Sequence, residues 1–142
     1  MNFIFQILFF YCRKTFVHEI KNRLFRRKLD KLLREVGGLI KQCSQCGDLF
    51  SEAHWNQLKC RSGNFFVDFH GRASSRHLSS RNWELSKYLL GLRMRGFQWS
   101  EIYWQIWALT QPLLHCIVCK ESFPINQFNH CHYHTKAASF TP

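Results

Sequence analysis

Between His18 and Lys41 the sequence HEIKNRLFRRKLDKLLREVGGLIK places Phe25, Leu29, Leu32, Val36 and Leu39 at alternating intervals of four and three. Those intervals keep apolar side chains on one face of an α-helix, with Lys21, Arg23, Arg26, Arg27, Lys28, Lys31 and Arg34 around it. The pattern predicts a basic amphipathic helix over 18–41, stopped by Gly37-Gly38. Farther on, WELSKYLLGLRMRGFQWSEIYWQIWAL carries two more stripes, Leu85, Leu89, Leu92 and Ile102, Ile106, Leu109. It predicts a helix pair: Asn82 caps the first, with Glu84 in its first turn, and Gly96 ends it; Ser100 caps the second, and Gln111-Pro112 halts it. The rings of Trp83, Tyr88, Phe97, Trp99, Tyr103, Trp104 and Trp107 crowd this stretch, and large aromatics supply much of the burial a small core needs.

Two segments are less regular. The opening MNFIFQILFFYC is apolar but too short to span a bilayer, and it lacks the basic start and small-residue cleavage site of a signal peptide. Residues 1–17 read as an apolar N-terminal segment: a buried strand, an added helix turn or a terminus with no role, the lesser alternative being a membrane-surface anchor, since Arg13 and Lys14 follow the apolar run directly. NFFVDF reads as a short strand, and RASSRHLSSR, within 71–82, as a serine and arginine linker.

Composition sharpens this outline. The chain has 142 residues, 46% of them hydrophobic, which suits one ordinary domain or two very small ones. Its net charge is +11, and residues 1–42 hold ten Lys or Arg against three acids, a net +7. A basic segment on a nearly balanced body points to an anionic partner. Arg23, Arg26, Arg27, Lys28, Lys31 and Arg34 are the residues that would meet it.

Six of the seven cysteines fall into two tight groups, Cys43, Cys46, Cys60 and Cys116, Cys119, Cys131. C-x2-C pairs with nearby histidines favour thiolate metal sites in a reducing compartment over a disulfide framework. In CIVCKESFPINQFNHCHYH, Cys116-x2-Cys119 and Cys131-x2-His134 are two close ligand pairs separated by a loop, the arrangement that tetrahedral zinc requires. His134 is preferred over His115, His130 and His132 because its spacing repeats that of the first pair. A segment this short cannot bury enough apolar surface to fold unaided, and zinc supplies the missing free energy.

CSQCGDLFSEAHWNQLKCRSG, residues 43–63, has the same plan: C-x2-C, a phenylalanine four residues after the second cysteine (Phe50, Phe123), then a third cysteine. This is an internal duplication. Gly63 stands where the second copy has His134, so the fourth ligand of the first copy falls to His54, His70, His77 or a water, with His54 ranked first and His70 next. One zinc is expected, and two if both copies bind. Closed sites with four protein ligands leave no open position for catalysis, and no H-x-E motif precedes the cysteine pairs, so no enzymatic activity is expected.

The pattern W-x-x-I-Y-W-x-x-W leading into C-x2-C, F-P and C-x-Y-H over residues 96–140 resembles the zinc-finger-like C-terminal region of the SANT and BTB domain regulator family, and residues 43–63 resemble it loosely. No SANT or BTB domain is apparent upstream, so the resemblance implies a fragment, a short isoform or a diverged relative. It implies a nuclear or cytoplasmic regulatory protein without catalytic activity. The expected fold is mainly α with small irregular zinc-knuckle segments, or a zinc-stabilised small α+β domain. Its parts are the N-terminal segment, the basic helix 18–41, a first knuckle over 43–70, the linker 71–82 and an aromatic helix pair with a C-terminal knuckle over 83–142. The expected activity is binding of a protein partner, and the alternative is nucleic-acid binding through the basic helix.

Overall fold

A computed structural model describes residues 3–62, 65–118 and 120–127. The first helix, α1, runs over Phe3–Val36, so the amphipathic helix anticipated from residue 18 begins at Phe3. No glycine or proline interrupts residues 3–36, and the opening apolar run continues the same helix. It ends at Val36, where the Gly37-Gly38 pair was expected to stop it, so Gly37–Lys41 lie beyond the helix. At Gly37 the chain tightens into a 3-10 turn, Gly37–Leu39, and passes directly into β1, Ile40–Gln42.

β1 pairs antiparallel with β2, Leu49–Ser51; β3, Phe66–Val67, pairs with β4, Ala73–Ser74; β5, Leu114–His115, pairs with β6, Ser122–Phe123. Between them lie α2, Leu85–Met94, and α3, Trp99–Thr110, followed after β6 by a 3-10 turn at Ile125–Gln127. The described residues thus form a small α+β protein of three helices and three two-stranded ladders.

The helix pair forms where its stripes place it, but its caps differ from expectation. Glu84, in extended conformation, precedes the first helical residue, so Asn82 lies outside the helix. Gln98 and Glu101 form a reciprocal capping box around the start of α3, which leaves Ser100 inside the first turn. Gly96 ends α2 at φ +93°, a conformation that favours glycine.

The core is built largely by the stripes read from sequence, although Leu39 lies beyond α1 and is exposed while its neighbour Ile40 is buried. Leu29 of α1, Ile40 of β1, Leu89 and Leu92 of α2, and Ile102, Ile106 and Leu109 of α3 are buried together. Trp83, Tyr88, Phe97, Trp99 and Tyr103 pack around them. Trp104 is half exposed and joins an edge-to-face chain of rings with Tyr103 and Trp107. A second, smaller cluster contains Cys43, Phe50 and Cys60, with Cys46 and Leu58 beside it. Among the described residues no helix is long and apolar enough to cross a membrane.

Candidate metal centre

The second cluster is a knuckle. β1 delivers Cys43 into a tight turn in which the Gly47 N–H donates to the Cys43 carbonyl and the Cys43 N–H donates to the Asp48 carbonyl. Gly47 closes the turn at φ +77°, which a side chain would strain. This fold-back puts Cys43 and Cys46 on one side of the hairpin. Cys60 returns to the same point, with its N–H donating to the Ser75 carbonyl and its own carbonyl accepting from the Ser75 hydroxyl at 2.7 Å.

The fourth group is His77. The ligand atoms of Cys43, Cys46, Cys60 and His77 all lie within 4.8 Å of one another. Cys43 Sγ and Cys60 Sγ are 3.8 Å apart, and Cys46 Sγ is 3.5 Å from His77 Nδ1. With zinc bonds of about 2.3 Å to sulfur and about 2.0–2.1 Å to nitrogen, a tetrahedron has edges of about 3.8 Å between sulfurs and about 3.5–3.6 Å between sulfur and nitrogen. Both observed separations match those edges, so the donor set and its spacing fit zinc.

His54, the ligand ranked first from sequence, is not in this group. It sits in the run of turns after β2, its N–H bonded to the Ser51 carbonyl and its carbonyl to the Gln57 N–H. His70 is exposed in the turn between β3 and β4. His77 instead is buried, and its ring stacks on Phe50 with centroids 5.1 Å apart and planes 17° from parallel. That stacking holds the imidazole plane while Nδ1 faces Cys46.

The stretch read as a linker is what carries His77 in. Ser44 N–H donates to the Leu78 carbonyl, Ser80 N–H to the Gln42 carbonyl, and Cys43 pairs with Ser79 in an isolated antiparallel bridge. Residues 78–80 therefore run antiparallel to 42–44 through this one bridge, with Ser75 and His77 buried ahead of it and Arg76 exposed over the Trp55 ring. Buried and exposed positions alternate only from Ser75 to Leu78, and with serine and histidine as the buried residues the sequence shows no apolar alternation there.

Burial pushes the Cys46 thiol up, to about 12, and the adjoining Cys43 and Cys60 sulfurs add to the rise. Burial acts upward on Cys43 too, but N–H donors from Cys46 and Gln45, the His77 side chain and the Leu78 N–H outweigh it and hold Cys43 at about 6. The pocket thus already favours a thiolate at Cys43, the form that binds metal. Arg61, 2.7 Å from Asp48, places a cation beside the cluster.

The second copy repeats the turn. Cys116 N–H donates to the Glu121 carbonyl, and Lys120 N–H donates to the Cys116 carbonyl, the same offsets as at Cys43. The register is also the same: His115 opposes Ser122 and Leu114 opposes Phe123, as Gln42 opposes Leu49 and Lys41 opposes Phe50. Lys120 takes the place of Gly47 and adopts φ 62°. Cys119, Cys131 and His134, the other expected ligands, lie outside the described residues.

The candidate anion-binding cations lie along α1. Arg23 pairs with Glu19, Arg26 lies 5.4 Å from the Trp99 ring, and Lys28 lies over Phe25 and Tyr103. Arg27, Lys31 and Arg34 are exposed. Half of the set is thus engaged by the protein's own groups.

No protein-family model matches the chain, and no solved structure matches it.

Proposed function

We propose that the protein is a non-enzymatic, zinc-stabilised adaptor module that binds another protein. The observation that carries the zinc reading is the convergence of three sulfurs and one imidazole nitrogen within 4.8 Å of one another, supplied by three separate pieces of chain. Four protein donors complete a structural site and leave no position for a reacting water. The metal would tie the end of β1, the Cys60 turn and the segment carrying His77 into one body, so that surfaces on either side keep a fixed relation.

A second zinc on Cys116, Cys119, Cys131 and His134 is part of the proposal. It is supported by the identical turn and register at Cys116 and by the left-handed Lys120, a conformation costing a non-glycine residue about 1–2 kcal/mol. The resemblance to the SANT and BTB domain regulator family, and the nuclear or cytoplasmic location it implies, belong to the same proposal and draw support from the duplicated knuckle.

Elemental analysis of protein purified without added zinc tests the metal reading. At least one zinc per chain is expected: a zinc at the Cys43 knuckle is lost in His77→Ala, and a second, where the Cys116 knuckle also binds, is lost in Cys131→Ser. Zinc-free protein contradicts the proposal. Pull-down of a protein partner by the zinc-loaded form, and not by the chelated form, tests the adaptor role.

The competing reading, nucleic-acid binding, is favoured by Arg27, Lys31 and Arg34 along the exposed face of α1. It requires retention on generic DNA or RNA that weakens steeply with salt and is lost when Arg26, Arg27 and Lys28 are neutralised. No retention at low salt rules it out.

A further inference from the structure

Six side chains stand in one row along α1: Phe16, Ile20, Leu24, Arg27, Lys31 and Arg34, at intervals of four, four, three, four and three. At 3.6 residues per turn those intervals keep the row within about a quarter of the helix circumference. All six are exposed, Phe16 at 64%, Ile20 at 51% and Leu24 at 50%. The other side of α1 is occupied by α3 and its cap. Asn22 donates to the Gln98 side chain, Phe25 meets the Tyr103 and Trp104 rings, Arg26 lies over Trp99, and Leu29 is buried in the core. None of those contacts uses the row.

The row changes character along its length. Its first half is apolar and its second half is three cations. Among the described residues Arg27, Lys31 and Arg34 form no ion pair, whereas Glu19 is taken by Arg23. Asp30 and Glu35, the other acids of α1, form none either. Residues 21–35 hold seven Lys or Arg against those two acids, so the field along this half stays positive.

We propose that this row docks an amphipathic helix of another protein, one whose own row is apolar at one end and acidic at the other. Such a helix meets both halves at once, with apolar side chains on Phe16, Ile20 and Leu24 and carboxylates on Arg27, Lys31 and Arg34. The other occupants each waste one half. A bilayer surface takes up an apolar stripe that runs the length of a helix with cations at its flanks, whereas here the cations follow the apolar residues in the same row. Polynucleotide phosphates would meet the cations and leave three apolar side chains in water. A second copy of the chain sets cations on cations when parallel, and cations on apolar side chains when antiparallel. The inference rests on the adaptor reading and deepens it by naming the partner's chemistry.

The probe is a fluorescent synthetic helical peptide whose row of leucines and glutamates mirrors Phe16 to Arg34, added to the full zinc-loaded chain and read by anisotropy. Saturable binding is expected, weakening as salt rises. Ile20→Gln with Leu24→Gln weakens it about tenfold or more, since two apolar contacts are lost. Arg27→Glu with Lys31→Glu also weakens it, and a peptide carrying lysine in place of glutamate binds that variant and not the parent. The four positions are exposed and the new residues are good helix formers, so helix and zinc contents stay at the parent values. No binding, or binding indifferent to both double variants, overturns the inference. So does row-dependent capture by anionic vesicles or by polynucleotide in place of the peptide. Zinc-dependent pull-down of a protein partner that both double variants leave intact overturns it too, while the adaptor reading stands. Row-dependent peptide binding by a chain that proves zinc-free supports the row and contradicts the metal reading.

Discussion

At the scale of single residues, His77 is the position on which the metal reading turns. It is buried, stacked on Phe50 and 3.5 Å from Cys46 Sγ. Replacing it with alanine removes one of four donors, and the loss of zinc affinity should exceed the roughly 10–100-fold typical of outer-shell changes. His54→Ala should leave affinity unchanged, which competition with a chromogenic chelator would show. Protons supply a second prediction. Cys46 is pushed up to about 12, above its unperturbed value of 9.0, so at neutral pH the metal-free pocket holds it as a thiol and zinc must displace that proton. Zinc uptake should therefore acidify a weakly buffered solution, and affinity should fall as pH falls. Uptake without proton release contradicts this. The three cysteines were legible from the C-x2-C pair and the third cysteine after it; His77 was among the candidates for the fourth ligand but ranked behind His54 and His70, because nearness in sequence does not reveal the backbone pairing that carries residues 78–80 back to Cys43.

At the scale of elements, the two knuckle turns invite a direct comparison. Gly47 and Lys120 occupy equivalent positions with positive φ, at +77° and 62°. Gly47→Ala should destabilise the first knuckle by about 1 kcal/mol, and Lys120→Gly should stabilise the second by a similar amount, since only glycine adopts this conformation without steric cost. Zinc-loaded thermal unfolding reads both. The helices respond to packing instead. Ile102 and Ile106 are 0% exposed, and either change to alanine should cost about 2–5 kcal/mol in denaturant unfolding. These helices were legible because three apolar stripes repeat at helical intervals over long runs. Of the strands only β3, inside NFFVDF, was legible; elements of two or three residues carry no measurable periodicity, and the others are set by the turns that bring them together. The caps were misplaced for a related reason: Asn82 and Ser100 have the right chemistry, but the reciprocal Gln98 and Glu101 bonds fix where α3 starts.

At the scale of the whole molecule, the described residues hold two apolar clusters of different character. The larger joins α1, α2, α3 and β1 through aliphatic side chains; the smaller consists of Cys43, Phe50 and Cys60. The first can persist by burial alone, and the second depends on what its thiols bind. Chelation should therefore release amide protection at Cys43, Ser44, Cys60 and Ser80 while the amides of α3 around Ile102 and Ile106 stay protected, as hydrogen exchange would show. Simultaneous loss throughout would mean that the metal holds the helices too. Fold class was only partly legible at this scale, because the 71–82 stretch reads as a polar linker yet supplies His77 and the backbone bridge to Cys43. The central claim is that zinc sits among three sulfurs and one nitrogen, and X-ray absorption at the zinc edge of protein purified without added metal tests it most directly. The account predicts three sulfurs at about 2.3 Å and one nitrogen at about 2.0–2.1 Å per zinc, at either knuckle; a shell of oxygen and nitrogen without sulfur, or no zinc at all, would contradict it.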